Sequence, residues 1–348
     1  ILSSSHHNTN RCPHGHFPTT KMTTTIDLYP DIVLSGDLSP EIGPEIDELC
    51  DEIKEACKGF GTDENALIKA MAKDQTTRTK VAMHYEPKHG KDLRKLVDKE
   101  CRGDFGEAME LLAVPPDVAE ANLIRKATKG AGTNEKLLYT IICGRSNADM
   151  NALKKAYFKT HGEDLGSEIK SEVGGDLEDF LFTCIQGLED EFDPEVHTED
   201  KAAEDAEAFY EAGEGRWGTD EKGIFNLLST SPPQYLEMVN NVYTEKYDVT
   251  LFHAFKKELG GDVEDAVLFA LGMKLKPYET VAELIKESCA GIGTNELLLM
   301  SSIIRYQAIL PDVMTAHEEL FGKSLHDRVR SETRSDFEKV LVEILDNA

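Results

Sequence analysis

Four short glycine loops in this 348-residue chain have the residue types and spacing to offer oxygen ligands to a hard cation. Glycine tolerates positive φ and carries no side chain, so such a loop can turn its backbone carbonyl groups outward. Hard cations such as Ca²⁺ take six to eight oxygens at about 2.3–2.6 Å, including carbonyls and a bidentate carboxylate. The loops are Lys58-Gly-Phe-Gly-Thr-Asp-Glu64, Lys129-Gly-Ala-Gly-Thr-Asn-Glu135, Gly215-Arg-Trp-Gly-Thr-Asp-Glu221 and Ala290-Gly-Ile-Gly-Thr-Asn-Glu296.

A glutamate follows each loop at a nearly constant distance and could supply the carboxylate. The four glutamates lie 39, 40, 40 and 39 residues beyond the glycine that precedes the loop threonine. An aspartate stands four residues after each glutamate, and an apolar residue follows that aspartate. Agreement at linked positions in four copies predicts a fourfold repeat. The glutamates are Glu100, Glu172, Glu258 and Glu332, and the glycines are Gly61, Gly132, Gly218 and Gly293.

The alternative interpretation of the loops is a helix-capping turn with no metal, because Gly-Thr-Asp-Glu is a favourable helix start. That alternative explains the loop but not the linked glutamate. One carboxylate offsets only half the charge of Ca²⁺, so we expect weak affinity in solution. A lipid phosphate oxygen that completed the coordination shell would strengthen calcium and lipid binding reciprocally.

Helices must position these loops. Leu67, Ile68 and Met71 follow the first loop at helical spacing, which is typical of a buried helix face. We interpret Thr62 as the N-cap, followed by first-turn carboxylates. No alternating strand pattern occurs, and about 70 residues per copy leave room for four or five short helices.

The repeat spacing predicts the domain organisation. An acidic run with Pro194 lengthens the second spacing and is interpreted as a solvated linker. Met22 is the first methionine, so we interpret residues 1–21 as an upstream or added extension. The predicted segments are a flexible tail at 1–44, repeats at 45–112, 117–188, 200–272 and 277–347, and the linker at 189–199.

The net charge of −27 limits the partners of the chain. Such a chain repels phosphates, which argues against nucleic acid as a partner. It equally disfavours direct docking on anionic lipids, so attachment to a phosphate-rich surface needs a cationic bridge. Seven cysteines without a C-x-x-C pair indicate reduced thiols in a cytoplasmic protein.

An apolar residue stands between the two glycines of every loop. These residues are Phe60, Ala131, Trp217 and Ile292. If the loops project outward, we expect these side chains to enter a membrane interface, a position that suits Trp217 in particular. The alternative is that they pack back on their own repeats.

The repeated G-x-G-T-[DN]-E loop, the acidic residue about 40 positions on and the long second spacing resemble the annexin family over residues 45–347. Gly144-Arg-Ser-Asn147 at a predicted helix end adds to the resemblance. The resemblance implies an all-α fold of four repeats with about five helices each, arranged as a curved disc. It also implies Ca²⁺-dependent, peripheral binding to acidic phospholipid membranes.

The resemblance further implies which atoms bind the four ions: three loop carbonyl groups and one glutamate carboxylate in each repeat. Ser335 stands where the other copies have glycine (Gly103, Gly175 and Gly261). The implied ligands are Cys57, Gly59, Gly61 and Glu100; Thr128, Gly130, Gly132 and Glu172; Gly213, Arg216, Gly218 and Glu258; and Cys289, Gly291, Gly293 and Glu332.

Other function classes have less support in the sequence. The chain has no G-x-S-x-G, P-loop, H-E-x-x-H or EF-hand spacing, so we expect no enzyme. Arg102-Gly103-Asp104 spells an adhesion-like tripeptide, but the repeat already accounts for its last two residues. The second hypothesis is a scaffold or cytoskeletal interaction protein that calcium only stabilises. Self-association on membranes, partners of the N-terminal tail and secretion without a signal peptide stay open.

Overall fold

The computed structural model describes residues 24–37, 39–59, 61–130, 132–213, 221–291 and 293–348. These residues form 21 α-helices and one short 3-10 helix, with no β-strand among them. A four-residue helix, α1 (Asp31–Leu34), precedes four groups of five helices. The predicted all-α class with five helices per repeat is confirmed.

The five helices of each group follow one another along the chain. Repeat 1 contains α2 (Pro44–Ala56), α3 (Glu64–Met71), α4 (Gln75–His89), α5 (Leu93–Glu100) and α6 (Gly103–Leu112). Repeat 2 contains α7 (Pro116–Thr128), α8 (Glu135–Ile142), α9 (Asn147–His161), α10 (Leu165–Glu172) and α11 (Gly175–Ile185). Repeat 3 contains α12 (Glu199–Gly213), α13 (Glu221–Thr230), α14 (Pro233–Tyr247), α15 (Leu251–Glu258) and α16 (Gly261–Leu275). Repeat 4 contains α17 (Pro277–Ser288), α18 (Glu296–Arg305), α19 (Leu310–Phe321), α20 (Leu325–Glu332) and α21 (Ser335–Asp346).

The four repeats close on one another. Helices α8 and α11 of repeat 2 pack against α16 of repeat 3, and α6 of repeat 1 packs against α18 and α21 of repeat 4. Further contacts between repeats join α11 with α13, α3 with α21, α6 with α7 and α16 with α17. Pro116 and Pro277 begin α7 and α17, because proline fits the first turn of a helix, where its missing N–H costs no hydrogen bond.

A buried ionic network joins repeats 2 and 4 at the centre of the molecule. The carboxylate of Glu120 accepts hydrogen bonds from Arg145 and from Arg305, the latter at 2.9 Å. Arg145 also pairs with Asp149 at 2.9 Å, and Arg305 donates to the Thr140 carbonyl at 2.7 Å. All five residues are buried. Because each charge meets an opposite charge or a carbonyl, the desolvation of these groups is largely compensated.

Leu28 and Tyr29, which fall within the predicted tail, dock on this network. The backbone N–H groups of Leu28 and Tyr29 donate to the Asp149 carboxylate at 2.8 and 3.1 Å, and both side chains are buried. The Tyr29 hydroxyl donates to Glu120. Burial raises the pKa of Asp149, and the Arg145 guanidinium opposes that shift. The buried Asp149 carboxylate requires hydrogen-bond donors, and the backbone of Leu28 and Tyr29 supplies them.

Most residues of the acidic linker are exposed, but Glu189, Phe192 and His197 are covered by the rest of the protein. The Glu189 carboxylate pairs with the buried Lys274 ammonium at 2.8 Å and accepts the Thr25 N–H at 2.9 Å. The ring of His197 stacks on Phe192. Burial lowers the pKa of Lys274, and Glu189 opposes that shift. The buried ammonium of repeat 3 requires a counter-charge, which the first linker residue supplies.

No single helix of the described residues is long and apolar enough to cross a membrane. One bent pair, Glu296–Arg305 with Gln307–Phe321, passes by length and composition, with an angle of 63° between its helices. Residues 298–307 of that pair are all buried in the protein core. Packing of these helices within repeat 4 and against α6 of repeat 1 accounts for their apolar character.

Replacing Glu120 by Gln removes the carboxylate that faces Arg145 and Arg305 while keeping the shape of the side chain. We expect the free energy of unfolding to fall by about 3 kcal/mol, because a buried guanidinium loses its counter-charge. Urea denaturation without calcium measures this loss. The control is Glu110→Gln, whose partner Arg94 is exposed and whose loss we expect to be below about 1 kcal/mol. Equal losses in the two variants would contradict the central role of Glu120.

Candidate calcium site

The glycine loop joins the first and second helices of each repeat and closes in the same way in repeats 1, 2 and 4. The Asp63 N–H donates to the carbonyl of Ala56 at 2.9 Å. The equivalent bonds are Asn134 to Ala127 at 2.9 Å and Asn295 to Ser288 at 2.8 Å. Each loop is therefore tied across its base, and the two glycines between are exposed to solvent.

Both glycines of each described loop have positive φ. A Cβ at any of them would meet nothing within 4 Å, so backbone conformation rather than crowding requires glycine. This conformation presents backbone carbonyl groups that the helices do not use. The φ angles are 102° at Gly59, 88° at Gly61, 136° at Gly130, 104° at Gly132, 97° at Gly291 and 91° at Gly293.

The interpretation of Thr62 as the N-cap is wrong. The N-cap of α3 is Asp63, whose carboxylate accepts the Ala66 N–H at 3.0 Å. Asn134 and Asn295 cap α8 and α18 in the same way. The side-chain oxygen of Asp or Asn satisfies a first-turn N–H, which leaves the threonine hydroxyl available for another partner.

That partner is the distant glutamate. The Thr62 hydroxyl donates to the Glu100 carboxylate at 3.2 Å, and the Thr294 hydroxyl donates to the Glu332 carboxylate at 3.3 Å. In repeat 2, the Thr133 hydroxyl donates to the backbone carbonyl of Glu172 at 3.1 Å. Three of the four predicted pairs of loop and glutamate thus come together in the fold.

Each glutamate is the last residue of the fourth helix of its repeat, that is, of α5, α10, α15 or α20. The turn that follows carries a left-handed residue, with φ of 61° at Gly103 and 57° at Ser335. Ser335 therefore adopts the conformation that glycine has in the other repeats. The glutamate side chains are partly covered, and a hydrogen bond from Lys99 lowers the pKa of Glu100.

Repeat 3 can be compared only in part. Glu258 ends α15 as its counterparts end their helices, and Gly213 is the last residue of α12. The other predicted ligands of this repeat, Arg216 and Gly218, lie outside the described residues, and so do the four apolar loop residues Phe60, Ala131, Trp217 and Ile292.

The donor set fits a hard cation. Among the described residues, no group of three or more His, Cys, Asp or Glu side chains could hold a metal. A metal ion at these loops would therefore depend on neutral carbonyl oxygens with one carboxylate, the ligand type that Ca²⁺ accepts and that softer metals do not favour. The exposed loop leaves room for water or a further oxygen ligand.

Comparison with known proteins agrees with this arrangement. The annexin family model matches residues 49–112, 119–183, 204–270 and 280–344. The chain belongs to the annexin family. It is 33% identical to mouse (Mus musculus) annexin A13 over 307 residues, which cover 87% of this chain and 96% of the relative. Annexins are known as calcium-dependent phospholipid-binding proteins.

Two further relatives extend the comparison. Human annexin A3 is 32% identical over 308 residues, covering 88% of this annexin and 94% of the relative. The solved structure of annexin III has a TM-score of 0.81 at 29% identity and covers 93% and 98% of the two chains. The crystal structure of calcium-bound annexin (Sm)1 has a TM-score of 0.76 at 26% identity, with coverage of 88% and 92%.

The sequence interpretation missed two groups of residues at the site. The threonine hydroxyls were assigned to the helix cap although they contact glutamate. The lysines beside the glutamates, Lys99 and Lys257, were not singled out, although each directly precedes its glutamate in the sequence. Lys129 reaches Glu172 only through the fold, and spacing alone offered no signal for it.

Removing the threonine hydroxyls should weaken calcium binding at two sites. In Thr62→Val/Thr294→Val, we expect the calcium concentration for half-saturation to rise about three- to tenfold, because one hydrogen bond that orients each carboxylate is lost. Isothermal titration calorimetry without lipid measures this change. Thr62→Ser/Thr294→Ser keeps the hydroxyls and is the control. If the valine and serine variants bind calcium equally well, the hydroxyls do not position the glutamates.

A second variant addresses the turn after Glu332. We expect Ser335→Gly to raise the free energy of unfolding by up to about 1 kcal/mol, because the strain of a left-handed serine exceeds the added entropy of glycine in the unfolded chain. Thermal unfolding measures the gain. Gly103→Ala, which introduces a Cβ at the equivalent residue of repeat 1, should lower stability. A lower melting temperature for Ser335→Gly would contradict the assignment of strain.

Proposed function

We propose that this annexin binds acidic phospholipid membranes peripherally, through Ca²⁺ ions that bridge the loops to lipid phosphate. The observation that carries the proposal is the contact between loop threonine and distant glutamate in repeats 1, 2 and 4. In repeats 1 and 4 the contact is made by the carboxylate itself, and in repeat 2 by the backbone carbonyl of Glu172; each lies beside a loop with positive-φ glycines. The related annexin (Sm)1 has been solved in a calcium-bound form, which supports the identity of the ion.

Each proposed site combines loop carbonyl groups with one carboxylate. The sites consist of Cys57, Gly59, Gly61 and Glu100; Thr128, Gly130, Gly132 and Glu172; Gly213, Arg216, Gly218 and Glu258; and Cys289, Gly291, Gly293 and Glu332. Cys57, Thr128 and Cys289 would contribute their carbonyl groups, so their side chains do not decide the metal. The glycines of the described loops are exposed, which keeps the outer coordination positions open to a ligand in a membrane.

The charge of the chain explains why the ion is needed. At −27, the protein is repelled by an anionic surface unless cations lie between them. Ca²⁺ bound by one carboxylate keeps half its charge and can take a phosphate oxygen as a further ligand. Calcium therefore acts as the bridge that replaces a basic patch.

The apolar residues between the loop glycines complete the proposal. Phe60, Ala131, Trp217 and Ile292 stand between two glycines and would enter the interfacial region once calcium holds the loops on the membrane. The proposed compartment is the cytoplasm, with peripheral attachment when calcium is present. The free state of the six described cysteines agrees with a reducing compartment.

Co-sedimentation with vesicles of phosphatidylserine and phosphatidylcholine tests the proposal. We expect the protein to pellet with the vesicles in millimolar Ca²⁺ and to stay in the supernatant with chelator or with Mg²⁺, which demands a smaller, near-octahedral site. Absence of co-sedimentation at millimolar Ca²⁺ would overturn the membrane function and favour the scaffold hypothesis.

Removal of two ligand carboxylates should raise the calcium requirement. For Glu172→Gln/Glu258→Gln, we expect the calcium concentration at half-maximal vesicle binding to rise about tenfold or more, because an amide oxygen replaces an anionic bidentate ligand at two sites. The control is Glu48→Gln/Glu319→Gln, which removes the same charge from exposed positions of α2 and α19. An unchanged requirement in the first variant would show that these carboxylates are not ligands.

A further inference from the structure

A lysine ammonium group lies beside the proposed ligand carboxylate in three of the four repeats. The Lys99 and Glu100 side chains are 2.7 Å apart, and those of Lys257 and Glu258 are 3.1 Å apart. In repeat 2, the ammonium comes from the loop, where Lys129 is 3.6 Å from Glu172. An intramolecular cation thus neutralises each of these carboxylates.

The two members of each pair differ in exposure. The Lys99 side chain is 77% exposed, whereas that of Glu100 is 17% exposed. The corresponding values are 65% for Lys257 and 18% for Glu258. The ammonium therefore lies on the solvent side of a largely covered carboxylate, the side from which a cation in solution must approach.

Repeat 4 is built differently and provides an internal comparison. The Glu332 carboxylate accepts hydrogen bonds from the Thr294 hydroxyl at 3.3 Å and the Ser331 hydroxyl at 3.4 Å. The residue directly before the glutamate is lysine in repeats 1 and 3 and serine in repeats 2 and 4. The lysine at this position is therefore not required to form the turn.

A Ca²⁺ ion bound bidentately by the same carboxylate would lie close to the ammonium group, and the two cations would repel each other. We propose that Lys99, Lys129 and Lys257 are exchangeable counter-ions: calcium displaces each from its glutamate, and the released ammonium binds a phosphate group of an anionic lipid. The inference rests on the proposed function and adds a second contact to each of these sites. Exposure of the lysines on the loop side places them where the lipid phosphates would lie.

In this exchange, the same lysine weakens calcium binding in solution and strengthens binding to an anionic membrane. Without lipid, the lysine opposes calcium, because its ion pair must be broken and its charge repels the ion. With calcium bound and a membrane present, the same lysine contributes attraction to an anionic surface. A lysine that only stabilised the fold would not produce this reversal of sign.

The experiment compares the full chain with Lys99→Ala/Lys257→Ala in two measurements. In calorimetric titration with CaCl₂ without lipid, we expect calcium binding to strengthen about two- to fivefold. In binding to phosphatidylserine–phosphatidylcholine vesicles at saturating calcium, we expect affinity to weaken about tenfold, from two lost surface lysines. At raised salt, the difference in vesicle affinity between the unaltered chain and the variant should become smaller, because screening weakens the attraction of lysine to anionic lipid.

Two variants provide the controls. Lys201→Ala/Lys246→Ala removes the same charge from lysines that pair with Asp205 and Glu207 outside the loops. We expect calcium affinity and vesicle affinity to change only by the small amount that the altered net charge causes. Ser331→Lys introduces the lysine into repeat 4, so we expect weaker calcium binding without lipid and stronger vesicle binding at saturating calcium.

The outcomes separate this inference from the proposed function. If the unaltered chain fails to bind vesicles at millimolar calcium, the proposed function fails, whereas the calorimetric arm still tests the displacement of lysine by calcium. If the chain binds vesicles but Lys99→Ala/Lys257→Ala matches the Lys201→Ala/Lys246→Ala control in both measurements, the exchange does not occur. Changes of the same sign in both measurements would also overturn it and would indicate a structural role of the lysines.

Discussion

The buried Glu120 carboxylate, which accepts hydrogen bonds from Arg145 and Arg305, is the interaction on which the assembly of the repeats depends. A carboxylate at this depth is stable only with cationic partners, and its partners come from repeats 2 and 4. The Asp149 carboxylate of the same network binds the backbone of Leu28 and Tyr29, and the Tyr29 hydroxyl donates a hydrogen bond to Glu120. Polar groups at the centre therefore set the positions of helices whose opposite ends carry the loops.

Hydrogen bonds of polar side chains also position the proposed calcium loops. The amide or carboxylate at the N-cap satisfies the start of the second helix, glycine φ angles present the carbonyl groups, and the threonine hydroxyl holds a glutamate from the end of the fourth helix. Each device uses a group that helix geometry leaves unpaired. The loop is thus prepared for a cation by hydrogen bonds that exist without it.

Charge connects these local arrangements to the proposed function. An acidic protein cannot approach an acidic membrane unaided, and its exposed lysines are partly engaged by its own glutamates. In the function that we propose, calcium would change both conditions, because it would add positive charge at the loops and compete for the carboxylates that hold the lysines. The weak pairing of exposed ions makes such an exchange accessible at modest free-energy cost.

The sequence by itself determined the fourfold repeat, the helical class and the approach of a glutamate to the loop in repeats 1, 2 and 4, because these are recorded as periodic residue types at fixed spacing. Only the tertiary structure decided the partners of residues whose contacts are far apart in the chain. Thr62 contacts Glu100 instead of capping its helix, and Asp149 binds the backbone of Leu28 and Tyr29. Glu189 likewise forms a buried ion pair with Lys274. Periodicity reports which face of a helix is buried, whereas the pairing of polar groups depends on which distant charge the fold brings within reach.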